Sequence, residues 1–441
     1  MVAPARKIAT HVLYRVLHDG AWASPSLDAE LRRVGPSRAD ASLATQIVYG
    51  TLRVAPELDV AMARHARRPI KVDDWVRAIL LAGAFQLLHL QRVPPHAVVH
   101  DAVQLATEKR GKRVGGFVNA ILRKVALERP EDAAPPRSLA VPTWLHHALV
   151  ASIGSENVER LLRVDLGAPS IDLRVRTGVD RETLAQAILE SQPQASVALT
   201  ELSPLGLRVA GVGDPRELPG YVQGSFAVQE EGAQLIGLAF GARPGERVLD
   251  VCAGRGGKTA QLIEAVGDSG RVTASDLHEH RIEQIAGELR RLRIDPRRLE
   301  TACIDWTRGH GTLEGAFDRV LVDAPCTGLG TLRRRPEILL RASAEDAAQM
   351  GETQSRILHH AAGMVRPGGL LLYAVCSPLL EEGARVVQRT RLPGFEPQDE
   401  LSSTLKSLSF ESSGGLSLGP WVSGAGPWAD AYQLYMWVNV G

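Results

Sequence analysis

From residue 228 onward, short apolar strands alternate with helical stretches, the strands falling at 247–251, 271–276, 299–304, 319–323 and 370–376. Aliphatic runs of this length, separated by segments of helical period, bury both faces when helices cover each side of a parallel sheet. The pattern therefore predicts an α/β, doubly wound (Rossmann-like) domain over 228–441. Ligands of such sheets bind beyond the carboxyl ends of the strands. The stretch 402–428, rich in Ser and Gly, reads as a long loop before a last strand at 432–440.

The rest of the chain has a different grain. Residues 5–127 carry apolar positions at three- and four-residue spacing with few β-branched runs, which predicts an all-α bundle in a domain spanning 1–130. Its clearest helices are 37–53 and 75–90; Pro94-Pro95 breaks the chain before helices at 96–108 and 117–125. Pro130, Pro135, Pro136 and Pro142 mark a linker, placed at 131–143. Helices at 144–164 and 181–191, with strands at 171–176 and 196–209, make a small α+β module over 144–227. At 441 residues the chain exceeds one core, so this multidomain division is expected.

The formal net charge of +1 conceals an asymmetry. Residues 1–130 hold 20 Lys and Arg against 11 Asp and Glu, and the remainder 31 against 39. A basic domain joined to an acidic one suggests a polyanionic partner for the first. The longest apolar run, 78–90, is interrupted by Gln86 and His89 and is too short to span a bilayer. With no secretory signal at the start, a cytoplasmic protein without membrane attachment is expected. The four cysteines, Cys252, Cys303, Cys326 and Cys376, form no Cys-x-x-Cys pair, so neither a metal site nor a disulfide is expected.

Chemistry gathers at the strand ends. The segment Asp250-Val251-Cys252-Ala253-Gly254-Arg255-Gly256-Gly257-Lys258-Thr259 runs from a strand into a glycine turn. A phosphate-binding P-loop would need glycine at position 252, which is cysteine, so the turn suits another nucleoside cofactor. Asp276 closes the second strand, where a carboxylate hydrogen-bonds ribose hydroxyls. Asp305 follows the third and could meet an adenine amino group or cap a helix. Asp323-Ala324-Pro325-Cys326 ends one strand and Tyr373-Ala374-Val375-Cys376-Ser377 another. A lone cysteine is more often an inert buried hydrophobe than a nucleophile, but two at separate strand ends favour function. Two thiols beside a nucleoside cofactor are the equipment for methylating carbon 5 of cytosine. A thiolate adding at C6 makes C5 an enamine carbon that can attack a methyl group. The run Arg333-Arg334-Arg335-Pro336 could pair with RNA phosphates.

At these residues the chain resembles the RNA cytosine-C5 methyltransferases, and closely the RsmB (Sun) branch acting on bacterial 16S ribosomal RNA. Ile47-Val48-Tyr49-Gly50-Thr51-Leu52-Arg53, Gly83-Ala84-Phe85-Gln86-Leu87-Leu88, Val93-Pro94-Pro95-His96-Ala97-Val98 and Gly116-Phe117-Val118-Asn119-Ala120-Ile121-Leu122-Arg123 resemble the RNA-binding NusB domain of that branch. Val228-Gln229-Glu230-Glu231-Gly232-Ala233-Gln234-Leu235 resembles the opening of its class I methyltransferase domain.

The resemblance implies S-adenosylmethionine along Cys252, Ala253, Gly254, Arg255, Gly256, Gly257 and Lys258, with Asp276 on the ribose, Asp305 near the adenine and Asp323 between cofactor and base. It implies Cys376 as nucleophile and Cys326 as the thiol assisting release; spacing alone leaves either in the first role. The implied partner is 16S rRNA before or during subunit assembly. A tRNA cytosine-C5 methyltransferase and a non-catalytic assembly factor with a decayed cofactor site are the rival readings. Three departures from the family pattern bear on the second: Arg255 replaces proline, Val375 replaces threonine, and Asp430-Ala431-Tyr432 replaces Asp-Gly-Phe.

Overall fold

The computed structural model describes residues 2–66, 70–128, 138–163, 170–398, 415–425 and 429–441. Within them the chain forms two compact units.

The first unit is helical: α1 (Pro4–His18), α2 (Ala23–Val34), α3 (Arg38–Ala63), α4 (Asp74–His89), α5 (Pro95–Arg110) and α6 (Lys112–Leu127). Local chemistry sets the boundaries. Ser37 caps α3 by accepting from the Asp40 N–H, and Asp73 caps α4 by accepting from Trp75 and Val76. Pro4 and Pro95 stand at helix starts, where no amide donor is needed. Helix α3 runs past its expected end at Arg53 and bends at Val54, because Pro56 cannot donate in the helix interior. Ile8, Leu13, Ile47, Leu58, Ile79, Phe85 and Leu122 fill the core. Gly50 is required there, since a Cβ would stand 2.0 Å from the Phe85 ring.

Leu332–Arg341, distant in sequence, belongs to this helical unit. The Arg53 guanidinium donates to the Arg333 carbonyl at 2.9 Å, and the Ala23 N–H donates to Glu337 at 3.0 Å. Arg335 and Arg341 lie over the Trp22 ring at 5.6 and 5.2 Å. The arginine run expected to meet RNA is therefore not a solvated stretch. Arg333 is buried, and Arg335 is the exposed member.

The second unit contains two sheets. Helix α7 (Thr143–Leu162), broken at Gly154 where φ is +76°, leads towards β1 (Ile171–Val175), α8 (Arg181–Ser191), β2 (Ser196–Leu199), β3 (Gly206–Ala210) and β4 (Phe226–Val228). These strands form an antiparallel sheet in the order β2-β3-β1-β4. The single strand expected over 196–209 is thus a hairpin, turned where Thr200 Oγ1 donates to the Ser203 carbonyl. The expected linker lies mostly outside the described residues, as does much of 402–428.

The larger sheet follows: α9 (Glu231–Phe240), β5 (Arg247–Asp250), α10 (Gly257–Val266), β6 (Arg271–Asp276), α11 (Glu279–Arg291), β7 (Leu299–Cys303), β8 (Phe317–Asp323), α12 (Ala344–Ala362), β9 (Val365–Val375), α13 (Ala384–Thr390), β10 (Phe395–Pro397), β11 (Gly415–Leu418) and β12 (Tyr432–Asn439). Its order is β10-β12-β9-β8-β5-β6-β7, with β11 beside β12. Strands β5 to β9 are parallel, and β12 joins β9 antiparallel. Part of the expected Ser/Gly loop is therefore strand β11. No helix among the described residues is long and apolar enough to cross a membrane.

Candidate active site

The strand order reverses between β5 and β8, which opens a crevice at their carboxyl ends. On one side is the glycine turn. Gly254 and Gly256 take φ values of +57° and +81°, a region side chains avoid, and so carry the chain sharply from β5 into α10. The Gly254 N–H donates to Asp276 Oδ2 at 3.0 Å, and the His278 N–H to Asp276 Oδ1 at 3.0 Å. Asp276 is thus buried as a brace for the turn at the end of β6. A Cβ on Gly254 would meet nothing within 4 Å, so the outer side of the turn is open to a ligand. Arg255, the first departure, is exposed.

Asp250, absent from the sequence-derived site, ends β5 beneath this turn. Its Oδ2 accepts from Thr259 Oγ1 at 2.7 Å, while its Oδ1 has no hydrogen-bond partner. Burial pushes its pKa up to about 7; the Thr259 bond opposes this, and nearby Asp323 adds to it. An unpartnered buried carboxylate oxygen below an open turn suits a cationic or hydroxylic ligand group.

Asp305 accepts from the Thr307 N–H at 3.0 Å and from Thr307 Oγ1 at 2.6 Å. Those bonds hold its carboxyl below the usual range. It closes a turn, and no helix follows, so the helix-cap alternative is not realised.

Across the crevice, β8 and β9 bring the two cysteines together. Cys326 Sγ lies 3.1 Å from Cys376 Sγ, and both residues are half-buried and free. The contact with Cys376 pushes the Cys326 thiol well up, and burial and Glu382 push it further. Backbone pairing fixes the approach: the Ala324 N–H donates to the Ala374 carbonyl and the Gly330 N–H to the Cys376 carbonyl. A Cβ at Gly330 would stand 2.0 Å from the Ala431 carbonyl oxygen, so glycine alone lets the loop lie this close.

Lys258 Nζ donates to Asp323 Oδ2 at 2.6 Å. Burial favours the neutral amine, but the charges of Asp323, Asp250 and Cys376 outweigh it and raise the Lys258 pKa. Lys258, expected only along the cofactor, is therefore also the ion-pair partner of Asp323, with Cys376 among the groups that act on its charge. Cys252 is half-buried, and its thiol is pushed well up by burial and by Asp250, Asp323 and Asp276, the opposite of a nucleophile's environment. Cys303 is exposed and bonded to the Leu277 carbonyl.

The other two departures are accommodated. Val375 is wholly buried in an apolar cluster with Val251, Val322 and Tyr373, where a methyl packs well and a hydroxyl would need a partner. Tyr432 places its hydroxyl 3.0 Å from Glu230, which also accepts from the Asp430 N–H. Sequence reasoning also missed Glu382 and Gln354, which hold the loop around Cys326. The Glu381-Glu382 pair is visible five and six residues after Cys376, but nothing local says which carboxylate turns inward.

Residues 238–403 match the family model of the 16S rRNA methyltransferases RsmB/F, and residues 3–127 match that of the NusB family. A ribosomal RNA small subunit methyltransferase B of Pseudomonas putida is 33% identical, with 89% of this chain and 91% of that protein aligned. One of Vibrio cholerae is 32% identical, over 89% and 92%. The crystal structure of PH0851 superimposes with a TM-score of 0.81 at 20% identity, covering 99% of each chain. That of NSun6 from Pyrococcus horikoshii with SFG gives 0.57 at 16% identity, over 68% of this chain and 98% of that one.

Proposed function

The chain belongs to the RsmB/F family of 16S rRNA methyltransferases, and we propose that it methylates C5 of a cytosine in 16S rRNA through a covalent Cys376–C6 adduct. The observation carrying this reading is the 3.1 Å approach of two thiols at the ends of neighbouring parallel strands. S-adenosylmethionine supplies an electrophilic methyl group when bound. The residues fit such a cofactor: an open turn from Cys252 to Lys258, Asp276 at the end of β6, and Asp250 with a free oxygen. Asp305 and Asp323 complete the set.

The target nucleotide must leave its stack, since C6 is shielded inside a helix. The Cys376 thiolate adds to C6, with Lys258 as the nearby cation. Asp323 faces the ring and shares a proton with N3. C5 of the resulting enamine would take the methyl group as its bond to the cofactor sulfur breaks, and loss of the C5 proton to a base then re-forms the C5–C6 double bond and breaks the C6–S bond. The electron pair of that bond returns to Cys376 sulfur, and the Cys326 S–H is the donor beside it. An elevated Cys326 pKa suits this role, because the group must still be a thiol when the adduct collapses.

The test is transfer of labelled methyl from S-adenosylmethionine to unassembled 16S rRNA transcript, small subunits and tRNA, followed by nucleoside analysis. 5-Methylcytosine in 16S rRNA, absent with Cys376→Ala, is expected. Methylation of tRNA alone, or of another nucleoside, would overturn the reading.

A further inference from the structure

Glu382 is fully buried just beyond β9, on the segment that continues from Cys376, and its carboxylate accepts bonds from the loop that carries Cys326. Thr327, the residue after Cys326, donates to it twice, from N–H at 2.7 Å and from Oγ1 at 2.5 Å. The Ser377 side chain, next after Cys376, opposes the rise in the Glu382 pKa that burial causes. Gln354 on α12 spans the Pro325 carbonyl at 2.8 Å and Glu382 at 3.3 Å, and so ties the near side of the same loop. The Tyr373 hydroxyl donates to the Glu382 backbone carbonyl at 2.6 Å, which fixes the residue itself. The chain thus ties the residue after Cys326 to the segment that continues from Cys376 through one carboxylate.

We propose that Glu382 is a positioning residue that holds Cys326 and Cys376 at their working separation. A buried carboxylate is costly unless several donors meet it, and here two of the donors come from the loop whose position against Cys376 matters. Gln354 restrains the loop before Cys326 and Glu382 the loop after it, so the Cys326 sulfur has little freedom to swing away. Its consequence for catalysis rests on the covalent reading above. Without Glu382, methyl transfer to the ring persists while the adduct fails to collapse.

Two readouts test this on full-length protein. The first needs no RNA: the cofactor-free protein is treated with diamide, a diazene that takes two electrons and two protons from the thiol pair and becomes a hydrazine. Formation of the Cys326–Cys376 disulfide is followed by mass spectrometry. Glu382→Ala is expected to slow closure about tenfold or more, and Glu382→Gln, which keeps one acceptor, to recover part of the rate. Closure at the wild-type rate in Glu382→Ala would overturn the proposal. The second readout compares single-turnover methylation with a denaturation-resistant RNA adduct, using Cys326→Ala as reference. Glu382→Ala should methylate once within about threefold of wild type and then retain the RNA. Loss of methylation without retained RNA, with thermal melting and S-adenosylmethionine binding intact, would overturn it. Should Glu382→Ala not fold, Thr327→Val, which removes one donor, must show the same slowing of closure, and wild-type closure there counts against the proposal. If Cys326→Ala itself traps no RNA, the covalent reading fails, while the closure result still decides the role of Glu382.

Discussion

The sulfur of Cys326 lies 3.1 Å from that of Cys376, although the two stand 50 positions apart in the sequence. Neighbouring parallel strands bring them together, since Asp323 pairs with Ala374 at the ends of β8 and β9. Strand register therefore brings the two cysteine-bearing segments side by side. Cys376→Ala is expected to abolish both methylation and adduct. Cys326→Ala should methylate once and remain bound to RNA through denaturing electrophoresis. The reverse assignment of the two variants would exchange their roles.

Lys258 and Asp323 form an ion pair at 2.6 Å inside the crevice. Lys258→Met removes the cation whose charge Cys376 acts on and leaves the Asp323 carboxylate without its partner. Single-turnover methylation should fall by about 100-fold or more, and alkylation of Cys376 by iodoacetamide should slow with it. Unchanged alkylation would show that Lys258 does not support the thiolate.

Asp250 gives a pH signature. Its folded pKa, about 7, stands above the ordinary value of 3.8, so the folded state holds the proton more tightly than the unfolded chain. Its stabilising contribution is full below about pH 4 and is lost as pH rises through about 7. Asp250→Asn stays neutral and can still accept from Thr259. The melting temperature of the variant relative to wild type should therefore rise between these limits and level off above them. A gap independent of pH would contradict the raised pKa.

Restoring the family's threonine should not help this chain. Val375→Thr places a hydroxyl among apolar side chains, and an unsatisfied buried polar group costs about 1–3 kcal/mol. Chemical denaturation should show a loss of that order, without a gain in methylation rate.

Tyr432→Phe removes one bond, since Glu230 keeps the Asp430 and Ala233 amides. A loss of about 1 kcal/mol is expected, with methylation unchanged. A large loss of activity would mean that Tyr432 reaches the crevice chemistry.

Much of this was legible in the sequence. Strand β6 has the bounds its apolar run implied, and β5, β7 and β12 fall within a residue or two, because a buried parallel strand must be apolar along its length. The glycine turn and the two cysteines could be read because each requires a particular residue type. Strand β11 was missed, because Gly415-Leu416-Ser417-Leu418 lies in a Ser- and Gly-rich stretch and owes its state to pairing with β12. Asp250 and Glu382 were missed for a related reason. Burial decides their importance, and burial arises from segments far away in sequence. The burial within the arginine run was out of reach for the same reason, as charge alone does not tell that Arg53 meets the Arg333 carbonyl.

The membership of Leu332–Arg341 in the helical unit also bears on how the protein is made. The six helices leave the ribosome well before that segment, yet their unit lacks Leu332, Ile338 and the Glu337 partner of Ala23 until more than two hundred further residues have been translated. Synthesis from the N-terminus therefore exposes an incomplete bundle for seconds, at roughly 5–20 residues per second. The Trp22 ring and the Ala23 N–H lack their partners from this segment in that interval, and a fragment ending near residue 130 would lack them permanently.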